Sequence, residues 1–205
     1  MKRPLSIILV AIAAALGAIA VSQAASAPRR LARGARFSVL RSAKAAVSTA
    51  ATALPASTAK YVTEPGTLAS EYEIEPAGAA YVEINATTHA WVIPGRKGMC
   101  LVVPVWKGLS IDTSCGSTAN AAGGSLVMIL RPSSGPVVYG LAPDGASVTA
   151  TNNDGTSKNV PVAHNVFMYA GPSAKAVTVH PQGGEEMTTP IKPEGQTTPF
   201  KPEGQ

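Results

Sequence analysis

Cysteine is almost missing from this chain: 205 residues contain two, Cys100 and Cys115. Two thiols cannot supply a four-cysteine zinc site or a multi-bridge scaffold. Histidine is nearly as scarce. His89, His164 and His180 are the only three, and none falls in an H-E-x-x-H or other paired-ligand spacing, so no metal is expected. Aromatic residues make up 5% of the chain while Gly and Pro number 19 and 17, which argues against a large aromatic core and for a turn-rich fold of small residues.

Acidic residues are absent before Glu64, whereas Arg29, Arg30, Arg33, Arg36, Arg41 and Lys44 cluster there. Between Lys60 and His180 acids and bases nearly balance. The formal net charge of +5 therefore belongs to a basic lead-in, and no nucleic-acid partner is expected of the domain.

Catalytic signatures are missing as well. No serine lies in a nucleophile-elbow motif, and the stretch around Gly123-Gly124 lacks the G-K-[ST] ending of a phosphate loop. Ser110, Asp112 and His89 contain the residue types of a triad without its sequence context. No catalytic residue and no cofactor is assigned, and the reading leans away from an enzyme.

What is present begins with a leader. Lys2 and Arg3 precede an apolar run over residues 5–21, and small residues continue to Ala27. These are the parts of a secretory signal peptide, with Ser22-Gln23-Ala24 as an acceptable cleavage site. The run also nearly reaches the length of a bilayer span, so residues 1–27 are a signal peptide or a membrane anchor. The arginines beyond the run favour a cytoplasmic flank; the paired cysteines favour export.

Residues 28–67 read as a basic, Ala-rich lead-in and linker. The composition predicts a helix over residues 33–50, with Phe37, Leu40 and Val47 on one side. Arg33, Arg36 and Lys44 share that side, which suits a linker helix, or one formed on docking to the domain, better than a membrane-lying helix. Residues 51–67, with Pro55 and Pro65, read as linker. Glu71, Glu73 and Glu75 alternate with Tyr72 and Ile74, the pattern of a short strand with a solvated acidic face.

Residues 68–180 are the domain. Short apolar or alternating runs at 80–84, 89–93, 99–103, 125–130, 137–141, 146–151, 158–162, 166–169 and 176–179 are separated by turn-forming residues, among them Asp144-Gly145 and Asp154-Gly155. Gly takes the positive φ that tight hairpins need. The pattern predicts an all-β fold, a small antiparallel β-sandwich or barrel. Cys100 and Cys115 most simply form one disulfide, whose loop closure is worth about 3 kcal/mol. Asn85-Ala86-Thr87 matches the short N-glycosylation pattern.

The string Gly140-Leu141-Ala142-Pro143-Asp144-Gly145 resembles the "G-L-V-P-D-G-V" string of uncharacterised secreted bacterial proteins of actinobacterial type. Trp91-Val92-Ile93-Pro94-Gly95, Cys100-Leu101 and Val162-Ala163-His164-Asn165-Val166-Phe167 resemble their "W-x-x-P-G", "C-L" and "V-x-x-N-V-F" strings. The resemblance covers residues 91–179. It implies export and a β domain and supplies no activity.

Residues 181–205 read as a disordered Pro-rich tail. Thr188-Thr189-Pro190-Ile191-Lys192-Pro193-Glu194-Gly195-Gln196 recurs over residues 197–205 with Phe200 in place of Ile191. Ile191 and Phe200 are thus equivalent candidate anchors for peptide docking. Taken together, the expectation is an exported envelope or extracellular β domain, binding or structural, whose partner is an envelope component or a protein. The alternatives are a secreted hydrolase of unrecognised type and a membrane-anchored regulatory protein.

Overall fold

A computed structural model describes residues 37–43, 53–105 and 110–192. The leader, the basic residues up to 36 and the second nine-residue unit with Phe200 lie outside the described residues.

The described residues fold into three antiparallel four-stranded sheets, so the expected all-β architecture with one disulfide holds, with one sheet more than a simple sandwich needs. In the first sheet, β1 (Ala80–Asn85), β2 (Thr88–Pro94), β3 (Gly98–Val105) and β4 (Ser110–Ser117) follow one another as a meander. The second is ordered β5 (Val127–Leu130), β6 (Val137–Leu141), β10 (Val166–Ala170), β9 (Val162–Ala163). The third runs β12 (Met187–Pro190), β11 (Ala174–His180), β7 (Ser147–Asn152), β8 (Ser157–Val160).

Side-chain alternation explains how these sheets stack. Ala90 and Val92 of β2, with Met99, Leu101 and Val103 of β3, pack against Tyr139 and Leu141 of β6 and Val166 of β10. The opposite faces of β6 and β10 send Val138 and Phe167 toward Val148 and Ala150 of β7 and Val177 and Val179 of β11. The second sheet is therefore buried on both faces. On the outer face of the first sheet, Trp91, Ile93, Cys100 and Val102 lie under Val62 and Ala69. A strand covered on both sides shows a continuous apolar run instead of a period of two, which is why residues 99–103 carry no polar residue.

Several boundaries differ from the sequence reading. Residues 51–67 are not all linker: α2 (Ala56–Thr63) forms just after Pro55 and buries Thr58 and Val62, one turn apart, against the disulfide face. The acidic alternation at 71–75 is not a strand. It comprises the end of α3 (Leu68–Glu71), Glu73 at φ 50° and a single bridge from Ile74 to Gly95. Glu73 pairs with Lys97 and Arg96, and Arg96 also reaches Glu75. The carboxylates answer a basic turn.

The domain also extends beyond residue 180. The tail reading fails for the stretch up to residue 192, because Met187–Pro190 pairs with β11 as β12 and Ile191 is buried; residues 193–205 lie outside the described residues. Edge pairing and one deeply seated apolar side chain outweigh the low apolar content of the stretch. Pro161 separates β8 from β9, since it has no N–H to give a ladder.

Candidate functional site

Two of the strings that carried the family resemblance meet at one place. His164 and Asn165 form the two-residue turn between β9 and β10, both at positive φ (47° and 69°). That pattern suits Asn. The turn places the Asn165 amide beside the Pro143-Asp144-Gly145 turn. Asn165 Nδ2 donates to the Ala142 carbonyl at 3.0 Å and to Asp144 Oδ1 at 2.8 Å.

Together these side chains hold the segment that precedes the domain. α1 (Ser38–Ala43) begins after Phe37, an apolar residue that cannot cap a helix through its side chain. The first N–H groups of a helix have no partner within it. Ser38 N–H donates to Asp144 Oδ1 at 2.9 Å and Val39 N–H to Asn165 Oδ1 at 3.0 Å. Ser38 Oγ reaches Asn165 Oδ1, and the Arg41 guanidinium lies 3.3 Å from Asp144 Oδ2. Phe37 and Val39 insert into the core between the first and second sheets, beside Val82, Val92 and Val166. The helix is capped by the tertiary fold.

Burial would raise the Asp144 carboxyl, but hydrogen bonds from Asn165 and from the Ser38 backbone, with the Arg41 charge, hold it below the usual carboxylate range. Asn165 uses its amide in both senses, accepting from α1 and donating to the 142–144 turn. An Asp at this position would supply no donor and would face Asp144 with a like charge. Chemically the site is a peptide clamp: two polar side chains for backbone N–H groups and an apolar slot for alternate side chains.

The disulfide lies elsewhere. Cys100 and Cys115 stand directly opposite each other on β3 and β4, with Cα atoms 4.1 Å apart. Their bridge lies on the outer face of the first sheet, under α2 and α3. No free cysteine remains.

The histidines are scattered. His89 contacts the rings of Tyr81 and Trp91. Among the described residues no hydrogen bond joins it to Ser110 or Asp112, and Asp112 instead accepts the Thr113 N–H. His164 is exposed in its turn. His180 lies between Thr149 Oγ1 (2.9 Å from Nε2) and Glu186 Oε1 (2.8 Å from Nδ1). This hydroxyl–imidazole–carboxylate line was not visible in the sequence, because Thr149 reaches His180 only through the β7–β11 pairing, while Glu186 comes from the β11–β12 connection. β7 is paired on both sides, by β8 and β11. The N–H groups beside Thr149 are therefore committed to the ladder rather than offered to an oxyanion, and the line serves as a cross-strand contact.

Among the described residues no group of three or more metal-ligating side chains converges, and no helix is long and apolar enough to cross a membrane. Comparison with family models, with curated proteins and with solved structures finds no match.

Proposed function

We propose that this chain is an exported cell-envelope or extracellular β domain with a binding or structural role, its partner an envelope component or another protein. The observation that carries this reading is the Cys100–Cys115 bridge, which uses both cysteines of the chain. Such bridges persist in oxidising compartments. The leader composition and the resemblance to secreted bacterial proteins support the same placement.

Within this reading the clamp has a mechanical sense. The segment held by Asp144 and Asn165 is the one that connects the domain to its leader. Phe37 and Val39 fix the tether at its entry to the body, so a pull along the lead-in acts first on the clamp and not on the sheets.

Intact mass of the native protein from separated medium, membrane and cytoplasmic fractions tests the proposal, with thiol alkylation before and after reduction. A chain outside the cytoplasm that takes alkylating reagent only after reduction is the expected result. A full-length chain with both thiols free in the cytoplasm would overturn it.

A further inference from the structure

The nine-residue repeat has a seat in the fold for its first copy. β12 pairs with the edge of β11 in the register Thr178↔Thr188, Val177↔Thr189 and Ala176↔Pro190. Ile191 N–H donates to the Lys175 carbonyl at 2.7 Å, so residues 175 and 191 form a hydrogen-bonded pair. By alternation Ala176–Pro190 and Thr178–Thr188 fall at non-hydrogen-bonded positions. Pro190 thus stands where no donor is needed. The two threonine hydroxyls meet at 2.9 Å. Ile191 is buried beside Val177 and Ala174, and Arg131 donates to the Lys192 carbonyl.

Apart from the buried Ile191, each of these features uses a residue that the second copy repeats. Thr197, Thr198, Pro199 and Lys201 match Thr188, Thr189, Pro190 and Lys192, while Phe200 replaces Ile191. Gln196 would stand in place of the half-buried Met187. The larger Phe200 side chain also has space. An open recess of about 260 Å³ adjoins Ile191, lined among others by Arg131, Pro136, Asn153, Pro172 and Ala174.

We propose that the β11 edge is a binding site for the T-T-P-[I/F]-K unit, and that the second unit of the same chain, Thr197–Lys201, is its alternative ligand. Seating the second unit releases the first as a loop. It roughly doubles the stretch between His180 and the paired threonine, which lowers the probability of closure only about threefold. A tethered unit meets the site at an effective concentration of order mM, well above that of a second copy in dilute solution. The tail therefore holds two exchangeable edge strands, and whichever is displaced is presented to solvent with its apolar anchor.

Engineered cysteine pairs in the full chain test this. Thr178→Cys with Thr188→Cys reports the first register, and Thr178→Cys with Thr197→Cys reports the second; the bridge is located by peptide mapping. The expected result is a monomeric 178–197 cross-link forming within about tenfold of the rate of the 178–188 pair, the allowance for loop length and for the Ile-to-Phe and Met-to-Gln changes. Adding Phe200→Asp should slow the 178–197 bridge at least tenfold. The proposal fails if residues 178 and 197 stay reduced while 178–188 closes, if they link only as dimers, or if Phe200→Asp leaves the rate unchanged.

Discussion

Asp144 accepts a hydrogen bond from the backbone N–H of Ser38 at 2.9 Å, across 106 positions of sequence. The Pro-Asp-Gly stretch is read from sequence as a hairpin turn, but it carries the chain from β6 of the second sheet to β7 of the third, two strands that do not pair. Its Asp144 also caps a helix that lies far back in the sequence. Asn165 does the same for Val39, and the two side chains are joined by a hydrogen bond. The clamp is thus one unit, and the loss of either side chain is felt first at the segment it holds.

Asp144→Ala removes one cap of α1 and leaves an Asn165 donor without its carboxylate. The expected loss is about 1 kcal/mol of docking free energy, or roughly fivefold faster local opening. Tryptic cleavage after Arg41, under conditions that spare the sheets, measures it. Unchanged cleavage would remove Asp144 from the clamp.

Docking should also depend on pH. The Asp144 carboxyl titrates below its ordinary value in the folded chain, so the folded state favours the charged form. Its contribution is complete above the unfolded carboxylate value of about 4 and fades as pH falls through the lower folded value. Amide protection of Ser38 and Val39 should hold from pH 7 to pH 5 and decline below about 4, once intrinsic exchange is corrected for pH. The decline should flatten in Asp144→Asn.

Replacing both cysteines, Cys100→Ala with Cys115→Ala, should lower unfolding free energy by about 3 kcal/mol, since the bridge closes a loop with a sequence separation of 15. Urea denaturation reads this as a lower midpoint. A loss below about 1 kcal/mol would show that the β3–β4 pairing already restrains the unfolded chain.

Gly140 lies in β6 where the second sheet is covered on both faces. A Cβ there would come within 2.3 Å of Phe167 Cζ. Gly140→Ala should cost at least about 2 kcal/mol through overpacking, and Phe167→Leu in the same chain should recover part of that loss, giving a non-additive cycle. Additive costs in chemical denaturation would separate the two residues.

Thr58 offers the opposite sign. Its hydroxyl is fully buried on α2 with no hydrogen-bond partner among the described residues. Thr58→Val keeps the branched shape and removes the orphaned group, for a gain of about 1 kcal/mol. A loss of stability in urea would show that the hydroxyl is bonded after all.

Local features were legible in the residues themselves. Apolar runs and Asp-Gly turns located most of the strands, because side-chain alternation and positive-φ turns are written in neighbouring residues. Val137–Leu141 coincides with β6 to the residue. The disulfide followed from there being only two cysteines. β4 was less legible, since Ser110–Ser117 is polar and half-exposed and owes its strand to pairing with β3. Tertiary structure alone decided which sheets share a core, that Phe37 and Val39 complete it, and that Ile191 belongs inside the domain. The clamp shows why. Asp144 and Asn165 have sufficient local reasons, as turn residues, to be where they are. Their second role depends on backbone groups more than a hundred positions away, and hydrogen bonding leaves no periodicity in a sequence when its partners are brought together only by the packing of sheets.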